Sequence, residues 1–111
     1  MLMKHGQVWL VKFPFEERDG LKVRPVIIID DGEHFKYKVL GVKVTSRLKY
    51  NGEYDIPLLY WQHSKLRIES IARVNKIAYL ERDDFVRYIG ELHKDDLLLV
   101  EYKLAEFFSN N

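Results

Sequence analysis

Apolar residues in this chain occur in short runs of about strand length, separated by turn-forming residues. The second run, Val26-Ile27-Ile28-Ile29, is β-branched throughout and directly follows Arg24-Pro25. Such an uninterrupted run predicts a strand that is buried on both faces. Proline cannot donate a hydrogen bond to a sheet ladder, so Pro25 is expected at the first residue of this strand or on a sheet edge. Arg24 is therefore expected at the mouth of a rigid strand.

The remaining runs predict five more strands. The predicted spans, with the second strand included, are 6–14, 24–30, 36–46, 54–61, 71–80 and 86–92. In the third strand, alternation puts Leu40, Val42 and Val44 on the core face and turns the face of Lys43 and Thr45 away from the main core. Pro57 predicts an edge position for the fourth strand. Residues 15–23 form a long loop before Arg24, of the kind that often carries function.

The C-terminal part of the chain has the spacing of a helix. From Lys94 to about Phe108, apolar residues recur at helical intervals, and two acids occupy the first turn, where the helix dipole favours them. The apolar positions are Leu97, Val100, Leu104 and Phe107, and the acids are Asp95 and Asp96. We expect a single domain over residues 1–111, mostly β with a C-terminal α-helix, whose sheet is strongly bent or closed into a small barrel.

Composition narrows the classes of protein to which this chain can belong. It has 111 residues, 47% hydrophobic and 14% aromatic, enough for one modest core. It has no apolar run of membrane-spanning length, no signal-peptide pattern and no cysteine, so a cytoplasmic location is expected. The net charge is only +1, yet residues 36–49 carry five bases and no acid. This segment is either a phosphate-binding surface or a solvated outer face.

Few residues offer catalytic chemistry. The four histidines have no paired spacing, no metal-ligand motif is present, and Thr45 and Ser46 have no evident histidine base. Arg24 and the group Thr45-Ser46-Arg47 remain, each at a predicted strand end. A guanidinium fork and a hydroxyl can stabilise charge on a phosphoryl group. Equally, Arg24 can be a solvated charge, Thr45 an ordinary strand residue and Ser46 a turn former.

Five segments, taken in order, resemble the PemK/MazF-like toxins over about residues 6–107. The segments are Gly6-Gln7-Val8-Trp9-Leu10-Val11-Lys12-Phe13, Val23-Arg24-Pro25-Val26-Ile27-Ile28-Ile29, Val42-Lys43-Val44-Thr45-Ser46, Glu69-Ser70-Ile71-Ala72-Arg73-Val74-Asn75-Lys76-Ile77 and Ile89-Gly90-Glu91-Leu92. The resemblance implies an SH3-like barrel that forms a homodimer. It also implies a metal-free, cofactor-free endoribonuclease that cuts single-stranded RNA with the RNA's own 2′-hydroxyl. The products would be 2′,3′-cyclic phosphate and 5′-hydroxyl ends.

The resemblance also implies roles for particular residues. Arg24 and Thr45 match the family's catalytic positions, and the partner is a cognate antitoxin whose acidic, hydrophobic tail blocks the RNA groove. Basic residues can follow the RNA backbone and aromatic residues can stack on bases. The RNA-binding candidates are Phe15, Lys22, Tyr37, Lys43, Ser46, Arg47, Lys49 and Asn75.

Two positions depart from the family pattern. Gln7 stands where many members carry an acid after the first glycine. Many members also carry an acid or a glutamine near the position of Asn75. Two other functions share the expected fold: a toxin that acts on a protein target such as gyrase, and a barrel that binds nucleic acid without cutting it. The pair Arg24 and Thr45 favours the ribonuclease over the gyrase-type toxin.

Overall fold

The computed structural model describes residues 3–14, 21–32 and 38–110. Six strands precede a C-terminal helix, as the sequence predicts. Their bounds are β1 Gln7–Pro14, β2 Leu21–Asp30, β3 Val39–Thr45, β4 Asp55–Pro57, β5 Ile71–Leu80 and β6 Phe85–Glu91, with a 3₁₀ turn at Arg82–Asp84 and α1 at Lys94–Ser109. Within this part of the chain, no helix is both long and apolar enough to cross a membrane.

All described strand pairs are antiparallel, in the order β4-β5-β3-β2-β1-β6. Register shifts interrupt the β1–β6, β2–β3 and β3–β5 ladders. An extra residue at such a shift bends its strand and increases the local twist. The predicted small, bent β fold with a C-terminal helix is therefore confirmed, although the described strands leave the sheet open, with β4 and β6 at its edges.

Two hydrophobic clusters form the core. Along β2, Ile27 belongs to one cluster, whereas Val26 and Ile28 belong to the other, so this strand is buried on both faces as predicted. The expectation that the second face of β3 lies away from a core is wrong, because Val39 is only 4% exposed and belongs to the second cluster. Gly41 also lies there, with so little space that an added Cβ would meet Val26 and Leu80.

The helix α1 covers the first cluster. Val100 is fully buried in it, and the other predicted stripe residues, Leu97, Leu104 and Phe107, pack against it. His93 is the N-cap, and its Nδ1 accepts a hydrogen bond from the backbone N–H of Asp95 at 3.0 Å. The predicted helix and its core-facing stripe are thus confirmed.

Two strand predictions need correction. β2 begins at Leu21 rather than residue 24, and Pro25 is neither its first residue nor on an edge strand, because it lies opposite Leu10 in the β1–β2 ladder. Pairing with β3 starts only at Val26, so Pro25, which has no N–H, lies just outside that ladder. The fourth strand is an edge strand as predicted but spans only Asp55–Pro57, and the chain after Leu58 forms turns.

Candidate active site

Arg24 and Thr45 line one cavity of about 470 Å³ at an end of the sheet. In the β2–β3 ladder Val26 is opposite Lys43, and continuing this register by two residues brings Arg24 opposite Thr45. On β2, Pro25 lies between Val26 and Arg24. Because Pro25 has no N–H, the β2–β3 ladder ends at Val26, before it reaches Arg24 and Thr45. The cavity therefore opens where two adjacent strands continue side by side without backbone pairing.

The Thr45 hydroxyl is held by a local contact. Its Oγ1 accepts a hydrogen bond from the backbone N–H of Arg47 at 3.2 Å, and the residue is half-buried. A hydroxyl has one donor and two acceptor lone pairs, so this contact leaves its donor to point elsewhere. Arg24 is also half-buried, which restricts its guanidinium more than full exposure would. The arrangement offers one charged fork and one neutral donor to the same cavity.

The charged residues in the described lining of this cavity are all basic. They come from β2, from the end of β3, from the segment between β4 and β5, and from β6: Arg24, Arg47, Lys65, Arg67 and Arg87. None of the 17 acidic residues of the chain is among the lining residues that the structure describes. Because the whole chain carries a net charge of only +1, the positive charge is concentrated here, as expected for a site that binds polyanions.

Three of these bases were not among the predicted site residues. Lys65 and Arg67 lie in an aperiodic segment, and Arg87 reaches the cavity only because β6 pairs with β1, where it lies opposite Leu10. Pairing between strands that are far apart in the sequence leaves no local pattern. The position of Arg87 beside the cavity can therefore be found only from the sheet topology. The basic triplet Lys65-Leu66-Arg67 was a visible but weak hint.

The predicted RNA-binding residues fall into three groups. Ser46 and Arg47 line the cavity beside Thr45. Phe15 and Tyr37 lie outside the described residues. The remaining four are described but are not among its lining residues: Lys22 on β2, Lys43 on β3, Lys49 close to the Tyr50 ring, and Asn75 in the interrupted stretch of β5. Their contact with RNA stays a prediction.

Gln7, the first departure from the family pattern, has a structural role. Its side-chain oxygen accepts hydrogen bonds from the Trp9 indole N–H at 2.9 Å and from the backbone N–H of Lys4 at 2.8 Å. Neither Gln7 nor Asn75 lines the cavity. The two departures therefore lie outside the described lining that surrounds Arg24 and Thr45.

The histidines do not converge on this cavity within the described residues. The rings of His63 and His93 do meet edge to face, with centroids 5.0 Å apart, although no pattern in the sequence predicts this contact. His93 also stacks on Tyr60 at 3.9 Å, so it belongs to the packing around the start of α1. No group of three or more His, Asp or Glu residues suited to a metal ion occurs in the part of the chain that the structure describes.

Comparison with protein families gives a match over nearly the whole chain. Residues 4–108 match the model of the "PemK-like, MazF-like toxin of type II toxin-antitoxin system". The chain belongs to the PemK/MazF-like toxin family. The resemblance predicted from its five segments is thus confirmed. No curated protein matches it by sequence.

Solved structures show the same fold for this PemK/MazF-like toxin. MazF from Deinococcus radiodurans superposes with a TM-score of 0.77 at 18% identity, covering 98% of each chain. An endoribonuclease in complex with its cognate antitoxin, from a mycobacterial species, gives 0.75 at 15% identity, covering 96% of this chain and 95% of the other. Mycobacterium tuberculosis toxin MazF-mt6 gives 0.70 at 17% identity, covering 93% and 96%. At these identities the likeness concerns the fold.

Proposed function

We propose that this toxin is an endoribonuclease that cuts single-stranded RNA without a metal ion. The observation that carries the proposal is that Arg24 and Thr45, from adjacent strands, line one cavity whose described charged residues are all basic. Family membership supports it, as does the fold shared with a mycobacterial protein named as an endoribonuclease. The other two candidate functions have no comparable observation in their favour.

The RNA's own 2′-hydroxyl is the proposed nucleophile. It already lies beside the phosphorus, so proximity favours its attack over that of water. The 2′-hydroxyl loses its proton and its oxygen bonds to phosphorus, while the bond to the 5′-oxygen of the next nucleotide breaks and that oxygen takes up a proton. The products are a 2′,3′-cyclic phosphate and a 5′-hydroxyl.

Arg24 and Thr45 are proposed to stabilise the charge that develops during this step. Arg24 presents two N–H groups to non-bridging phosphate oxygens, and the Thr45 hydroxyl donates a third hydrogen bond. Arginine is a poor base, so the acceptor of the 2′-proton is left unassigned. The described lining provides no carboxylate or imidazole, and its five cations disfavour a divalent ion.

The proposed partner is a cognate antitoxin with an acidic, hydrophobic tail. The family is that of type II toxin–antitoxin systems, and related folds have been solved with MazE or with a cognate antitoxin. The cavity pairs its bases with apolar walls that include Leu10, Leu66 and Ile68. Such a lining suits acidic and apolar side chains in alternation, so the tail and the RNA would compete for one site.

The test is cleavage of single-stranded RNA with excess EDTA. We expect the all-ribose strand to be cut into products with a cyclic phosphate. A strand with one 2′-deoxy substitution on the 5′ side of the scissile bond should resist cleavage at that bond. Cutting of the deoxy-substituted bond, or full inhibition by EDTA, would show that water or a metal-bound nucleophile attacks instead.

A further inference from the structure

The segment between β4 and β5 carries two of the cavity's bases, Lys65 and Arg67, at exposed positions. In the part of the chain that the structure describes, no carboxylate pairs with either residue or with Arg87. Other bases do have such partners: Arg73 lies 3.0 Å from Asp55. Three uncompensated cations around one cavity are available to an anion from outside.

Hydrogen bonds fix this segment at its start. The Asp96 carboxylate is fully buried and accepts from the backbone N–H groups of Leu59 and Tyr60, at 3.2 and 2.9 Å. Further along, the backbone N–H of Lys65 donates to the carbonyl of Gln62 at 3.0 Å. Surface segments with this many internal contacts lose little freedom when they bind a ligand.

Close packing fixes the middle of the segment. Ser64 is fully buried, and the following residue, Lys65, has a φ of 67°, a left-handed conformation rare for lysine. A Cβ added to Gly90 on β6 would lie 2.4 Å from the Ser64 carbonyl oxygen, so the segment rests directly against that strand. The backbone that carries Lys65 is therefore held close to β6, the strand that carries Arg87.

Lys65 also lines an adjoining cavity of about 410 Å³. Ile89 is shared as well, and the adjoining lining includes His63, Tyr88 and Glu91. The two cavities thus meet at Lys65, along β6. Lys65 therefore lies beside both the cavity of Arg24 and Thr45 and the adjoining one.

From this geometry we propose that Lys65, Arg67 and Arg87 form a second phosphate-binding point. It would bind a phosphodiester that flanks the one held by Arg24 and Thr45 on the same RNA strand. The proposal rests on the proposed function for the RNA substrate. In this role the three bases bind and position the strand and do not touch the scissile phosphate, so they affect affinity more than the chemical step.

The test measures binding of a strand that cannot be cut. The probe is a single-stranded oligonucleotide of mixed sequence with every 2′-hydroxyl methylated, titrated at several salt concentrations. Each phosphate neutralised on a single strand contributes about 0.7 to the slope of log K against log salt. We expect Lys65→Ala/Arg67→Ala to lower the slope by about 0.7 and the affinity about tenfold, as for one lost charged contact. In single-turnover cleavage, the protein concentration needed for the half-maximal rate should rise by the same factor as the affinity falls.

A matched control removes two lysines from the opposite end of the sheet. Lys4 is close to the Gly6–Ile28 contact, and Lys38 directly precedes β3 at the end away from Thr45. Lys4→Ala/Lys38→Ala makes the same change in net charge. We expect its slope to match that of the wild type within error.

The outcomes separate this proposal from the proposed function. An unchanged slope in Lys65→Ala/Arg67→Ala, with cleavage intact in the wild type, would overturn the second phosphate point alone. A wild type that binds with the expected slopes but cuts no RNA would overturn the nuclease and leave the phosphate point standing. An unchanged RNA slope together with weaker binding of an acidic peptide would assign these bases to the antitoxin instead.

Discussion

Asp96 gives the sharpest prediction for stability. It is a fully buried carboxylate in the first turn of α1, and it is the acceptor for two backbone amides of the segment between β4 and β5. Asp96→Ala removes both acceptors and leaves the N–H groups of Leu59 and Tyr60 without partners. A sequence reading of this residue predicts only a favourable interaction with the helix dipole, worth about 0.3–1 kcal/mol.

The structure predicts a larger cost. Each buried donor that loses its acceptor costs about 1–3 kcal/mol. Leu59 and Tyr60 are themselves exposed, at 71% and 43%, so water recovers part of this loss. We expect Asp96→Ala to cost roughly 2–4 kcal/mol in the free energy of unfolding. For a domain of this size, that corresponds to a fall in Tm on the order of 10–20 °C. Asp96→Asn keeps one acceptor and should lose about half as much.

Thermal unfolding monitored by circular dichroism measures the effect, and Asp95→Asn is the control. Asp95 is also in the first turn, but its side chain is 55% exposed and binds no backbone amide of the segment. We expect Asp95→Asn to cost no more than the dipole term of about 1 kcal/mol. Equal losses in Asp95→Asn and Asp96→Ala would show that Asp96 acts only through the helix dipole. Protease cleavage between residues 59 and 68 should increase in the Asp96 variant alone, as a sign of local opening.

The other predictions concern the reaction and the assembly. Arg24→Ala should lower the cleavage rate about 100- to 1,000-fold in a folded protein. Arg24→Lys should also cleave slowly, because the bidentate fork is lost. A near wild-type rate in Arg24→Ala would refute the mechanism. Thr45→Val should lose activity at unchanged Tm while Thr45→Ser keeps much of the rate, whereas full activity in the valine variant would make Thr45 an ordinary strand residue. Sedimentation at micromolar concentration should give a homodimer of this 13.3 kDa chain, since α1 exposes Leu98 and Tyr102 by 63% and 67%; a monomer alone would contradict this.

Patterns of neighbouring residues in the sequence predicted β5 and the start of α1 correctly. The bounds of β5 agree with the prediction, and α1 begins at the predicted Lys94, because alternation and helical spacing are properties of neighbouring residues. The fourth strand was predicted too long because its apolar run continues past Pro57. In the structure the amides of Leu59 and Tyr60 donate to Asp96, which is 37 residues further along the chain than Leu59.

Only part of the candidate site was predictable from the sequence. Arg24 and Thr45 were identified through the resemblance, and the β2–β3 register accounts for their proximity. Arg87 had no signal in the sequence, because its place beside the cavity depends on β6 pairing with the first strand. Contacts between distant segments are set by topology, which a pattern of single residues does not encode.

The late position of β6 has a consequence for protein synthesis. The chain is made from its N-terminus, and domains fold as units once enough of them has been made. An unfinished chain that ends after β5 already contains Arg24 and Thr45, yet it lacks Arg87 and Ile89 from the cavity wall and the Asp96 carboxylate that fixes the neighbouring segment. The cavity is therefore complete only after β6 and the start of α1 have been made. Until that point, a ribosome translating this toxin would carry a nascent chain whose proposed RNA-binding surface is incomplete.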